Sequence, residues 1–310
     1  MLIAFLAILA AIALDRALAG RKWPGVWAWY AEWLESIESR LNAGERAQGI
    51  TAVGLAIAPL AMVIGLAAFL LDEIAGVFGF AFDAYVLYMC VGLYRLGAQA
   101  ESVAASLDTD DMAAAATQLS ALTGKPVGET REAAIARGTV EAVLRQANSA
   151  IVAPVFWFLI FGPVGAAVQQ MAGAVDRLWG HRTERFAEFG WAAARFSDLL
   201  NWLPARITAI SYAIMGSFED AVECWRRKAT VWSDINSGPL LASGFGALHM
   251  DICGDDIETD HYGHVHYGPE ALADANHVRR VIALVWRVAL FWLSVGALMS
   301  LANAFGLFGI

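Results

Sequence analysis

The sequence predicts an all-α, polytopic integral membrane protein, with about four full spans, one or two kinked or re-entrant apolar segments, and a large cytoplasmic helical region. Two observations carry this. The chain is 58% hydrophobic and only 16% charged, with a mean hydropathy of +0.53, whereas soluble domains carry roughly 25% charged residues. The apolar residues also gather into runs near the roughly 20 residues that a spanning helix needs. The net charge of -9 leaves no basic field for nucleic acid, so that class of partner is excluded and the lipid bilayer takes its place. Cys90, Cys224 and Cys253 lie far apart, which supports neither a disulfide framework nor a structural zinc site.

Leu2 to about Leu18 is the first apolar run. Asp15 and Arg16 interrupt it and no basic region precedes it, so it reads as an uncleaved first span rather than a signal peptide. Trp23, Trp27, Trp29 and Trp33 follow and suit an interfacial aromatic belt. Ile50–Leu71, Val77 to about Leu96 and Val281 to about Leu307 are the other full spans. Ile151–Met171 is apolar but broken by Pro154, Gly162, Pro163 and Gly165; Trp202–Met215 is short and carries Arg206. Lys and Arg in the loops 20–49 and 97–149 place both in the cytoplasm and the N-terminus outside. A re-entrant 151–171 keeps Arg177, Arg182, Arg185 and Arg195 on the same side, so 97–280 is mostly cytoplasmic.

Residues 97–149 have helix-forming composition, with Asp108–Asp111 as a cap and a break at Gly124 and Pro126. Residues 172–200 form a polar helix. Residues 233–278, rich in Gly, Ser, Asp and His, read as an irregular cytoplasmic insertion with short strands. Within it, His261, His264 and His266, preceded by Asp256, Glu258 and Asp260, offer transition-metal ligands; a solvated surface hairpin explains them equally simply, and no metal site is assigned. Phe218–Lys228 has the charge pattern of an amphipathic surface helix.

The stretch DRLWGHRTERFAEFGWAAARFSDLLNWLPAR, Asp176–Arg206, concentrates charge in this apolar chain. Arg195, Asp198 and Asn201 share one helical face, and Pro204 predicts a break before Arg206. One reading is a polar pocket at the membrane face, with Asp176 and Asp198 as acids and Arg206 as an anion clamp. The plainer one is a solvated helix with ordinary ion pairs.

The same stretch resembles the signature of the CobD/CbiB family of membrane proteins. Its pattern D-x-x-x-G-x-x-x-E-x-[FY]-x-x-x-G falls on Asp176, Gly180, Glu184, Phe186 and Gly190, and its A-R-x-x-D-x-x-N-x-x-P-A-R on Ala194, Arg195, Asp198, Asn201, Pro204, Ala205 and Arg206. Leu14-Asp15, the stretch from Ala136 to Ala166 and the last apolar span fit as well. The resemblance implies a multi-pass protein of the bacterial inner membrane that acts in cobalamin assembly, where a corrinoid carboxylate is activated with ATP and joined to aminopropanol phosphate. It implies ATP and Mg²⁺ as cofactors if that activity is retained, and a corrinoid or another anionic small molecule as ligand. Asp176, Asp198 and Glu184 are then the catalytic carboxylates, and Arg195, Asn201, Arg206, Arg182 and Gly180 the ligand-binding set. Homo-oligomerisation is compatible with it.

Three stretches depart from the pattern. Arg145–Ala150 stands where the family reads E-N-T-x-D-G, Ala19-Gly20-Arg21 where it reads G-D-P, and Trp232–Leu248 where it has N-x-S-P-N, with only the small-residue run Ala242–Leu248 kept; Ser197 also replaces the first of two neighbouring aspartates, Asp198 being the second. The lost acidic pair resembles the AmpE branch, which implies the alternative of a non-catalytic membrane signalling protein linked to cell-wall stress or β-lactamase induction.

Overall fold

The computed structural model describes residues 2–18, 25–128, 131–180, 185–232, 234–250, 258–259, 265–266 and 273–304. They form α1 (Leu2–Leu18), α2 (Gly25–Leu41), α3 (Arg46–Ile74), α4 (Gly76–Cys90), α5 (Leu93–Asp108), α6 (Met112–Thr123), α7 (Glu132–Ala147), a π-helical turn (Asn148–Val152), α8 (Ala153–Trp179), α9 (Trp191–Met215), α10 (Phe218–Lys228), α11 (Ser237–Ala247), β1 (Glu258–Thr259), β2 (Val265–His266) and α12 (Ala275–Ala304). Four helical stretches are long and apolar enough to cross a membrane: Arg46–Ile74, Gly76–Asp108, Glu132–Trp179 and Ala275–Ala302. The first two contain the spans expected over Ile50–Leu71 and Val77 to about Leu96, and the last overlaps the one expected from Val281. α1 has 17 residues, the bottom of the spanning range, and the third stretch contains the broken segment 151–171. Two compact units emerge: Met1–Gly92 with Ala153–Asn201, and Leu93–Val152 with Trp202–Ile310.

In the first unit, α3 and α4 pack on each other and on α8, α1 packs on α4, and α2 on α3. Tyr30, Leu34, Ala52, Ala56, Val175 and Trp179 are at the core. The C-terminal half of α3 leaves Met62, Val63, Leu66, Phe69 and Leu70 exposed. A helix this apolar with an open apolar face has lipid for its solvent. α8 is not straight. Phe161 and Gly162 leave helical geometry, Gly162 at φ 60 and ψ -151. That conformation is open to glycine alone, and Pro163 then starts the second limb with its φ already set. A Cβ on Gly165 would lie 2.3 Å from the Trp157 carbonyl oxygen. On a straight helix those residues are about 12 Å apart, so the chain doubles back into a tight helical hairpin whose tip exposes Leu159, Ile160 and Phe161. Of the kinked and re-entrant forms expected for the broken segment 151–171, the chain takes the reversal, at Gly162–Pro163.

Pro204 does not end a helix as predicted: α9 runs through it. Proline cannot bond the carbonyl four residues back, and here the Trp157 indole N–H donates to that Leu200 oxygen at 2.9 Å. The orphan acceptor is satisfied, so the helix tolerates the proline.

In the second unit, α5, α6 and α7 pack together, α12 lies against α5 and α7, and α11 is held between α7 and α10. Asp111 caps α6, accepting from the Ala114 N–H at 3.0 Å, and Gly124 closes it in the left-handed region (φ 69). The expected irregular insertion 233–278 is corrected at Ser237–Ala247. This Gly- and Ser-rich stretch is a helix, buried at every residue. Glycine disfavours an isolated helix, but the small residues admit neighbours that larger ones exclude. A Cβ on Gly246 would fall 2.4 Å from the Asp220 carbonyl oxygen, and one on Gly244 2.4 Å from Leu144 Cδ2. β1 and β2 pair antiparallel, Glu258 opposite His266; Asp256, Asp260, His261 and His264 lie outside the described residues. α10 turns Ala221 and Cys224 inward and its charges outward. Cys224 is disulfide-bonded, a bond that the cysteine spacing did not predict.

Candidate functional site

Two polar centres emerge, one in each unit. The first gathers around the segment from Trp179 to Asn201. Asp176 lies in the last turn of α8, with its carboxylate folded over Gly180: a Cβ on Gly180 would meet Asp176 Oδ1 at 2.0 Å. Gly180 N–H also bonds the Asp176 carbonyl at 2.7 Å. Gly190 is equally tight, its Cβ position 1.8 Å from the Trp179 carbonyl oxygen. The signature glycines are thus sites of close backbone approach. Glu188 pairs with Arg46 at the start of α3, and Arg185 forks onto Glu38 at 2.6 and 3.0 Å. Burial alone pushes the Glu38 carboxyl up, but hydrogen bonds from Arg185 and Asn42 and the Arg185 charge bring it below the usual carboxylate range. Glu38, Ser39, Asn42, Gly44 and Arg185 line a cleft of about 340 Å³. Arg182 and Glu184 lie outside the described residues.

On α9, Arg195 is exposed and Asp198 half-buried. Asn201 Nδ2 donates to the Ser197 carbonyl at 2.9 Å, and its Oδ1 accepts from Gln169 at 3.3 Å. The sequence reading did not single out Gln169, which lies inside the apolar α8. A polar residue in a stretch otherwise fit to span a membrane was the available signal.

The second centre lies at the N-terminus of α11. Arg206 donates to Asn236 Oδ1 at 3.2 Å and to the Trp202 carbonyl at 2.7 Å, and stacks over the Trp202 ring. Partial burial lowers its pKa, although a guanidinium keeps its charge at any ordinary pH. Arg145 donates to Ser237 Oγ at 2.7 Å and to Glu141 at 2.7 Å, and lies 3.8 Å from Asp234. Asp234 accepts from the Asn236 N–H at 3.0 Å and from the Ser237 hydroxyl. Thr208 Oγ1 donates to Asn148 Oδ1 at 3.0 Å, fixing α9 on the π-turn that continues α7. Such turns are frequent at functional sites. The Tyr212 hydroxyl adds a bond to the Leu144 carbonyl at 2.8 Å. Trp232, stacked on Phe245, keeps its indole N–H buried with no acceptor among the described residues.

Of the residues expected from sequence, Arg206 belongs to this second centre, while Asp176, Gly180, Arg195, Asp198 and Asn201 belong to the first unit. Arg145, Asn148, Thr208, Asp234, Asn236 and Ser237 are additions. All but Thr208 fall in the 145–150 and 232–248 stretches, which the sequence had already set against the family signature. Two guanidinium groups beside a buried helix N-terminus, with Glu141 and Asp234 as their counter-charges, set out donors of the kind that bind carboxylate or phosphate.

A family model described as CobD/Cbib protein matches residues 8–285. The chain belongs to the CobD/Cbib family. It is 33% identical over 299 residues to "Cobalamin biosynthesis protein CobD" of Stutzerimonas stutzeri, covering 94% of this chain and 96% of that protein. The protein of that name from Chromobacterium violaceum is 38% identical over 210 residues, covering 67% of this chain and 65% of that one. The one from Halalkalibacterium halodurans is 28% identical over 301 residues, covering 93% and 94%. No solved structure matches. Family membership thus extends through both units and both polar centres.

Proposed function

We propose that this CobD/Cbib-family protein acts in cobalamin biosynthesis at the bacterial inner membrane, and that it binds an anionic small molecule at Arg145, Arg206 and the N-terminus of α11. The observation that carries this reading is the convergence there of three stretches far apart in sequence: Arg145 with Asn148, Arg206 with Thr208, and Asp234 through Ser237. The names of relatives matched over nearly their whole length supply the pathway. The reaction that fits best is amide formation, in which the amine of aminopropanol phosphate attacks an ATP-activated corrinoid carboxylate and the activating group leaves. The arginines hold the phosphate-bearing or carboxylate-bearing partner.

Among the described residues no three His, Cys, Asp or Glu side chains come together as a metal centre. No step is therefore assigned to Mg²⁺ here. ATP brings its own phosphate ligands when it carries that ion.

The test is thermal stabilisation of the detergent-purified protein by ATP with Mg²⁺, aminopropanol phosphate, cobyric acid, cobinamide and muropeptides. Saturating ligand at 100 Kd adds about 2.7 kcal/mol. Stabilisation by aminopropanol phosphate or a corrinoid, lost in Arg206→Ala, supports the reading. Stabilisation by muropeptides alone replaces it with the AmpE-type signalling role suggested by the altered 145–150 stretch.

A further inference from the structure

The anion site proposed above contains an anion of its own. Asp234 Oδ1 accepts the Asn236 backbone N–H at 3.0 Å, and its Oδ2 takes the Ser237 hydroxyl and faces Arg145 Nη1 at 3.8 Å. A backbone N–H at a helix start, a hydroxyl and a guanidinium are the donors that a bound phosphate or carboxylate uses. Ser237 and Asn236 are buried, at 2% and 7% exposure, so these donors are fixed in place. The Asp234 side chain, like that of Arg145, is 42% exposed, so it has solvent to turn into once its bonds are replaced. Two residues earlier, the Trp232 indole N–H is a buried donor left without an acceptor among the described residues.

The charges are arranged to match. Arg145 is shared between Glu141 at 2.7 Å and Asp234, while the hydrogen bonds of Arg206 go to neutral oxygens of Trp202 and Asn236. With Asp234 in place the two arginines face two carboxylates. With Asp234 turned out, a net positive charge remains at the helix start.

We propose that Asp234 is a built-in counter-ion that fills the anion position beside Arg145 at the start of α11, and that a ligand anion enters by displacing it. Asp234 thereby acts as a specificity residue. An anion that bonds the same donors more strongly than a carboxylate enters, and a weaker one is refused. The proposal rests on the anion-site reading, and its test separates the two.

The experiment is calorimetric titration of the full chain in detergent, at fixed ionic strength and with chelator present, using inorganic phosphate and aminopropanol phosphate as probes. Asp234→Asn keeps an amide oxygen for the Asn236 N–H and removes the charge. The expected result is binding of aminopropanol phosphate about tenfold tighter than in the parent protein, with Arg206→Ala weakening it in either background. Asp234→Ser, whose hydroxyl also caps the turn, shifts affinity in the same direction and serves if the Asn variant is poorly folded. Unchanged or weaker binding in both variants, with Arg206→Ala still losing the probe, overturns the displacement and leaves the anion site standing. Absence of binding by every form, with either probe, overturns the anion site and the counter-ion together.

Discussion

In the first unit, charged pairs tie surface segments down. Glu38 with Arg185, and Glu188 with Arg46, fasten the loop between α8 and α9 onto α2 and α3, and three of those four side chains are more than half exposed. In the second, Arg145, Arg206 and Asp234 gather against α11, which is buried at every residue. The residue types are the same, but the surroundings assign them different work. Exposed pairs are screened and contribute little to stability. Groups aimed at a fixed, buried helix start are pre-organised for a ligand. If that contrast is right, substitutions in the second centre change binding, whereas those in the first change stability and its pH dependence.

The largest expected effect is at α11. Gly246→Val drives a side chain into the Asp220 carbonyl and should cost about 3 kcal/mol or more through overpacking, read as a large fall in melting temperature. A near-normal melting temperature breaks the picture of α11 as a rigid platform. Next, Arg206→Ala should weaken aminopropanol phosphate binding by about tenfold or more with little change in melting temperature. A large loss of stability with intact binding reverses the assignment of the two centres.

Trp157→Phe tests the first unit as scaffold. It leaves the Leu200 carbonyl without its indole donor, beside a proline that cannot replace it, and should cost about 1–3 kcal/mol without altering ligand affinity. Thr208→Val removes the bond to Asn148 and should cost about 1 kcal/mol; Thr208→Ser restores it.

The smallest effect is at Glu38. Its folded pKa is depressed through Arg185 and Asn42, so its contribution is full above the unfolded carboxylate pKa and fades as pH falls through the folded one. The melting temperature should drop on acidification below the ordinary carboxylate range, and Glu38→Gln should flatten that drop. An identical pH profile for both proteins removes the clamp from the account.

The sequence by itself determined the features that depend on local or periodic information. The apolar runs, the Asp111 cap, the Gly124 stop and the break at Gly162–Pro163 were all legible, because each rests on the chemistry of neighbouring residues. So was family membership, through the spacing from Asp176 to Arg206. Only the tertiary structure decided the rest. Pro204 sits within a helix because Trp157, far away in sequence, supplies the missing donor. Ser237–Ala247 is a helix because burial against α7 and α10 outweighs glycine's poor propensity. The arginines of the second centre reach their partners across 92 positions for Arg145 and Ser237 and 30 for Arg206 and Asn236. No periodicity encodes contacts of that range; packing of whole helices creates them, and the chemistry of the site with them.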